Sequence, residues 1–483
     1  MVLNFISVLT LLACLSLPFL SARSAFMLVS AFSFSGTYAL SFEGGLNILP
    51  GAVLAALLCL WLALKAISAG TLGRIPRFPG AAYLIPFLLY AVIVTVGAPM
   101  AFGGKILVVR PNLVSEGVHQ AVPLGFSVSN IAQLTYLVLD AMLLIGAAAL
   151  ARRPDFKMSS VISFHFRLAV IMACAVALET ILGISGLPID IFSWIMGPEF
   201  GEIRLDRYYL QDLFGFPIRR AQAVFGEPSV FTAYMIGIFG AALFYVRTKP
   251  TPRAIFRVLI TCAALLASLS TTGIAGMVLI AVLVAFAPGS GNVDSRTVRR
   301  RHWIFIVALA SLIIGVGVAV FSSGAVSDYL FGKLTDTEGY EEGNYSSGAE
   351  RLFWDITATR AIWNSLGVGV GAGATRASSF VLNIGAAFGV AGLILLAALL
   401  RHLWRAFYHR LSLIDDVDVR AASVMCLGWF VGFAISIPDG FIFFYIWILL
   451  GFILMRTSPK LAVGFRRKPV ESAGAIKQSG NTP

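Results

Sequence analysis

Long apolar runs, each closed by a short polar or basic break, recur from one end of the chain to the other. A run of about 18 or more apolar residues is long enough to cross a bilayer as a helix. The pattern predicts spans near 2–20, 25–42, 50–68, 81–99, 129–149, 167–184, 229–246, 254–270, 273–288, 303–321, 379–400, 420–437 and 440–456. Only a short turn around Arg23 separates the first two, so the pattern allows about 12–14 spans, with 13 favoured. Backbone groups in lipid must be bonded internally, and the weak period-two alternation of a membrane barrel is absent. The predicted fold is all-α, a polytopic transmembrane helix bundle with long extracytoplasmic loops.

Basic residues orient the bundle. Arg74 and Arg77, Arg152 and Arg153, Arg247 to Arg257, Arg296 to Arg301, Arg401 to Arg420, and Arg456 to Lys468 fall on alternate sides of consecutive spans. One face thereby collects 26 of the 36 Lys and Arg, which predicts that it is cytoplasmic. The N-terminus is then periplasmic and the C-terminus cytoplasmic. No basic region precedes the first apolar run, so that run is expected to be a retained span and not a cleaved signal. The expected organisation is a transmembrane domain over 1–456 and a basic, disordered cytoplasmic tail over 457–483. The domain includes extracytoplasmic loops at 185–228 and 322–378.

Composition sharpens this picture. Of 483 residues, 58% are apolar and 12% charged, too much apolar surface for a soluble globule to hide. The net charge of +12 then reports basic cytoplasmic loops and not a nucleic-acid partner. All five cysteines lie inside apolar runs without paired spacing, which argues against disulfides and a zinc site. Among the five histidines, only His119 is predicted on the outer face.

Charge at the mouth of a span is the first candidate chemistry. Phe216 to Met235 reads FPIRRAQAVFGEPSVFTAYM, with Arg219 and Arg220 shortly before Glu227 and Pro228. Proline favours the first turn of a helix, so Glu-Pro-Ser predicts a helix start whose positive dipole end faces outward beside two arginines. That arrangement suits a phosphate or diphosphate. The bland alternative pairs the arginines with Glu199, Glu202, Asp206 and Asp212 of the same loop.

Ser346 to Arg376 is the second candidate. Arg351, Trp354, Asp355 and Arg360 recur at near-helical spacing, predicting an amphipathic helix on the outer surface. Gly367, Gly369, Gly371 and Gly373 resemble a nucleotide loop but lack its Lys-Ser/Thr ending and a preceding strand. A flexible hinge, or a close backbone approach to a ligand, is expected instead. Ser268 to Gly273 reads either as a tight turn or as hydroxyls facing the same outer cavity. Asp140 and Glu179 lie within spans, where a carboxyl is expensive, so each is an ion-pair partner or a functional group. Asp415-Asp416-Val417-Asp418 resembles an acidic metal motif, but its loop is too short for a nucleotide-binding domain, and a solvated loop is expected.

Together, the order and sidedness of these motifs resemble the bacterial O-antigen polymerase and ligase superfamily. Arg220 is followed by Phe-Gly-Glu-Pro-Ser at the entrance of a central span, and a Ser-Thr-rich break comes next. A late outer loop carries Arg351 and Trp354, then Leu-Gly-Val-Gly-Val-Gly, then Phe-Gly-Val-Ala-Gly at 388–392. The resemblance covers most of residues 200–400. It implies a GT-C-like membrane glycosyltransferase of the bacterial inner membrane, using undecaprenyl-diphosphate-linked glycan as donor and acceptor outside the cytoplasm.

Under that resemblance Arg219, Arg220, Arg351, Arg360 and Arg376 are candidate substrate ligands, and Glu227, Arg220 and Arg351 candidate catalytic residues. No cofactor is implied, and no metal-ligand cluster appears on the outer face. The lipid bilayer, a chain-length regulator and a flippase are the other candidate partners. Ligases of this superfamily usually carry a histidine where this chain has Ser378 and Ser379, and an arginine after Ser270 is missing too. Both departures favour a polymerase of exopolysaccharide or O-antigen over a ligase. They leave the general base open among Glu227, Glu350 and His119. A transporter or flippase is a further alternative, although no internal symmetry of the kind transporters show is apparent. A non-catalytic organiser of other synthesis enzymes is another.

Overall fold

A computed structural model describes residues 5–33, 40–41, 47–70, 76–111, 120–185, 209–210, 218–219, 221–225, 227–287, 347–408, 417–437 and 439–458. Its helices are α1 (Phe5–Ser16), α2 (Ala22–Phe32), α3 (Pro50–Ser68), α4 (Ala81–Phe102), α5 (Val128–Ala151) and α6 (Met158–Ile184). They continue with α7 (Pro228–Thr248), α8 (Pro252–Ala267), α9 (Thr271–Ala285), α10 (Ser347–Asn364), α11 (Phe380–Tyr408), α12 (Val417–Ser436) and α13 (Phe444–Arg456). Strand is confined to three two-residue antiparallel ladders among the described residues. The protein is all-α and polytopic. Seven helices, α3 to α7, α11 and α12, are long and apolar enough to cross a membrane.

Every predicted span except 303–321 overlaps one of these helices, although α2 ends at Phe32, well short of the predicted 25–42, and Leu40–Ser41 is strand; 303–321 lies outside the described residues. The two uncertain N-terminal spans resolve into short helices. α1 runs into a 3-10 turn at Leu17–Phe19, Leu20 breaks the helical dihedrals, and Ser21 caps α2 by accepting from Ser24 N at 3.2 Å.

α7 and α12 form the axis of the bundle. α7 is buried along nearly its whole length. Small residues let the two backbones touch: a methyl added at Gly428 would sit 2.6 Å from Gly237 Cα, and one at Gly432 2.6 Å from Ala233 Cα. Packing without a water-driven hydrophobic force depends on such close approach. Between these two contacts the Trp429 indole donates to Tyr234 O at 2.9 Å. Tyr234 donates to His165 O of α6 at 3.2 Å, and the Trp429 and Tyr445 rings cross 4.6 Å apart. This aromatic block joins α6, α7, α12 and α13 in the middle of the bundle.

The end of the bundle that carries the start of α7 is the Glu227 face; the other end carries Arg247, Arg257 and Arg456. There, the Arg247 guanidinium caps α9 by donating to Val284 O and Ala287 O. Tyr245 donates to Asp418 Oδ1 at 2.6 Å, so Asp418 ties α12 to α7. Arg257 lies over the Phe166 ring and Arg456 over Phe156. Asp415, Asp416 and residues 296–301 lie outside the described residues.

Candidate functional site

Glycine decides the architecture above the Glu227 face. Residues 365–377 form a strap that inserts into the bundle between α4, α5 and α11. Val370 N and Gly371 N donate to Ala386 O and Ala387 O, and Val390 N donates back to Gly367 O, each at 2.9 Å. Ala372 N donates to Thr95 Oγ1 at 3.0 Å, and Asn130 Nδ2 donates to Ala372 O at 2.6 Å. α11 breaks at Gly389, whose φ of 62° only glycine adopts freely, and the strap supplies hydrogen-bond partners to the broken backbone. A methyl on Gly369 would meet Ala387 O at 2.5 Å, and one on Gly389 would meet Gly367 O at 2.0 Å.

The glycine run packs against the bundle. Its glycines are needed because the strap lies against other backbone.

α10 sits beside the strap, with Trp354, Thr357, Ala358 and Ala361 buried, and Leu352, Ile356, Arg360 and Trp363 exposed. Ala361 packs in a small apolar cluster with Ile106, Val108, Leu124, Val370 and Ala374. Asp355 accepts from Ser378 N at 2.7 Å and Ser378 Oγ at 2.5 Å, fixing the strap's exit. Arg376 N donates to Val109 O at 2.9 Å, and the guanidinium lies 4.4 Å from the Trp354 ring centroid. Arg376 Nε is buried and has no hydrogen-bond partner among the described residues.

The entrance to α7 is built by a clamp. Glu179, near the end of α6, accepts from Gln222 N and Ala223 N through one oxygen, each at 3.0 Å. Ala223 is held at φ 50°, and the turn then delivers Glu227 to the N-cap of α7 with Pro228 in the first turn. Glu227 Oε2 accepts from Ser229 Oγ at 3.0 Å. One turn deeper, Thr232 Oγ1 lies 3.4 Å from Ser270 Oγ, so the Ser268–Gly273 break turns the chain and also faces this helix start. Glu179 thus shapes the backbone that carries the candidate site. Among the described residues Asp140 forms no ion pair, and both of its oxygens are buried without a hydrogen-bond partner.

The third component comes from the turn between α12 and α13. Asp439 there is partly buried. Its pKa is raised from the usual 3.8, first by burial, with nearby Glu227 adding to the rise and Arg376 opposing it. Glu227 and Arg376 therefore each lie within electrostatic reach of Asp439 at one end of the bundle.

Of the residues singled out by sequence, Glu227 and Arg376 both act on Asp439 here. Arg351 lies half-buried on α10, one turn before Trp354, while Arg360 points away on the exposed face. Arg219 pairs through its backbone with Tyr209, but its side chain, Arg220 and His119 lie outside the described residues, as do Glu199, Glu202, Asp206 and Asp212. Asp439 and the Trp354–Arg376 contact were not anticipated. The break Pro438-Asp439-Gly440 between two apolar runs was the signal available for Asp439.

A multi-pass membrane protein with a charged mouth is a narrow class, and the family comparison narrows it further. Residues 121–329 match the family described as WcaD colanic acid polymerase. Over that stretch the chain is similar to an exopolysaccharide polymerase family. The match begins well before residue 200, where the motif resemblance starts, and includes α5 to α9 with the Arg219–Glu227 segment. α10, Arg376 and Asp439 lie beyond it. No curated protein matches the chain.

Proposed function

We propose that this protein polymerises undecaprenyl-diphosphate-linked oligosaccharide repeats on the periplasmic face of the bacterial inner membrane. The observation that carries the reading is the charged mouth at the start of α7, within a stretch that matches a polysaccharide polymerase family. A hydroxyl of the incoming lipid-linked repeat attacks the anomeric carbon of the growing chain. The glycan transfers, and undecaprenyl diphosphate departs. The leaving diphosphate gathers negative charge, and fixed cations beside a helix N-terminus stabilise it without a metal. Arg219 and Arg220 hold this group, with Arg351 and Arg376 reaching it from the late segment. Glu227 orients an arginine or receives the proton.

The glycan profile of a deletion strain tests the reading. Single repeats accumulating on the lipid carrier, with polymer lost, are expected. Full-length polymer retained on the carrier and missing from its final acceptor would make the protein a ligase. Unflipped repeats on the cytoplasmic face would make it a transporter, and polymer synthesis in an Arg219, Arg220, Arg351 and Arg376 quadruple alanine mutant would make it an organiser.

A further inference from the structure

The packing of α12 against α7 decides what stands opposite Glu227. The two helices run antiparallel, with Gly432 against Ala233 and Gly428 against Gly237. Glu227 lies six positions above Ala233, and Asp439 seven above Gly432. Glu227 caps the start of α7 and Asp439 follows the end of α12 at Ser436, so both carboxyl-bearing residues stand at the same end of this helix pair. The α12–α13 turn is fixed from a third side: the Phe380 and Phe441 rings lie 5.6 Å apart, and any side chain at Gly440 would strike Phe380. Arg376 precedes Phe380 by four residues. Three segments far apart in sequence thus bring two carboxyls and a guanidinium to one end of the bundle.

No ion pair closes between them: among the described residues, neither Glu227 nor Asp439 forms a salt bridge with Arg376. Arg376 is oriented by Trp354 and Val109, and Glu227 by Ser229, so Arg376 and Glu227 are each positioned by groups outside the trio.

Resting on the polymerase reading, we propose that Asp439 is the general base of the transfer. Its carboxylate takes the proton of the attacking sugar hydroxyl as the new oxygen–carbon bond forms. The bond between the anomeric carbon and the diphosphate oxygen breaks, and its electron pair leaves with the lipid diphosphate, beside Arg376. Glu227, at the α7 N-cap, keeps the arginine side of the site in place. Among the described residues, the charged groups acting on Asp439 are Arg376, from the segment before α11, and Glu227, from α7.

The test uses membranes containing the full-length chain, with lipid-linked single repeats that accumulate in a deletion strain as the probe. Asp439→Asn is expected to lower extension by about 10²–10⁴-fold while protein abundance stays at wild-type level. Asp439→Glu should restore part of the rate with a shifted acid limb in the pH profile, and the residual Asp439→Asn rate should lack that limb. Extension within about threefold of wild type in Asp439→Asn would overturn the assignment. So would Asn and Glu variants impaired equally with a wild-type pH profile, the result of a purely structural role. Wild-type membranes that leave the single repeats unextended would overturn the polymerase reading and Asp439's role with it, and this failure is distinct because no substitution is involved.

Discussion

The Arg376 guanidinium rests on the face of Trp354, 4.4 Å from the ring centroid, with its Nε buried and without a hydrogen-bond partner among the described residues. An arginine held by a ring keeps its N–H groups available for an anion, as a fully bridged arginine cannot. Trp354→Ala is expected to remove about 1–2 kcal/mol of positioning. That corresponds to an extension rate lower by roughly 5- to 30-fold. Trp354→Phe should lose much less. Equal losses in the two variants, measured as polymer extension in membranes, would show that the ring face does not hold the arginine.

Glycine in the strap is a backbone requirement, and the cost of side chains there can be separated into parts. Gly70 and Gly389 share a φ of 62°, but a methyl at Gly70 meets nothing within 4 Å, whereas one at Gly389 meets Gly367 O at 2.0 Å. Gly70→Ala is expected to cost about 1 kcal/mol through dihedral strain alone. Gly389→Ala adds displacement of the strap and should cost about 3 kcal/mol or more. Thermal unfolding of the detergent-solubilised protein compares them directly. Similar shifts in both would mean that the strap does not pack against α11 as described.

The Glu179 clamp predicts a contrast of a different kind. Glu179→Ala leaves two buried N–H groups without their acceptor and is expected to destabilise by about 2–4 kcal/mol. Glu179→Gln keeps a carbonyl oxygen for both donors and should lose less than half of that. Because the clamp positions Glu227, extension should fall in step with stability across this pair. A loss of activity in Glu179→Gln without any loss of stability would show that the charge acts in catalysis.

Asp439 should weaken the fold at neutral pH in exchange for function. Its pKa is raised above 3.8, mainly by burial. A carboxyl with a raised folded-state pKa stabilises fully only below its unfolded pKa, and that contribution disappears as pH rises through the raised value. Asp439→Asn is therefore expected to melt at or above the wild-type temperature near about pH 7, while the wild type gains relative to it towards about pH 4. A variant that melts lower than wild type at neutral pH would contradict the burial cost.

Arginine substitutions at the mouth need a control chosen from the structure. Arg247 is basic and remote from Glu227, but it caps α9 through two carbonyls, so its loss disturbs the bundle. Arg153 is exposed and, among the described residues, pairs with Asp155 at 3.5 Å. Such surface pairs contribute little. Arg220→Ala is expected to abolish extension and Arg153→Ala to leave it unchanged; equal activity in the two would remove Arg220 from the site.

The spans were legible in the sequence because lipid admits few alternatives: a long apolar run must become a helix, and its length counts the crossings. Glu227 was legible for a local reason, since an acid followed by proline at the head of an apolar run marks a helix start wherever it occurs. Arg376 was a candidate only through the family resemblance. What these residues meet was not legible. The Gly367–Gly373 run reads as a flexible segment because glycine carries no side chain to reveal a contact. Only the folded chain shows Thr95, Asn130 and α11 bonded to its backbone. Asp439 looked like one polar residue in a turn between two spans. Its place opposite Glu227 follows from the Gly428–Gly237 and Gly432–Ala233 contacts, a register between helices some 190 residues apart that no local pattern encodes. The apolar periodicity determined which segments enter the membrane; the close approach of small residues in three dimensions decided which charges face one another at its edge.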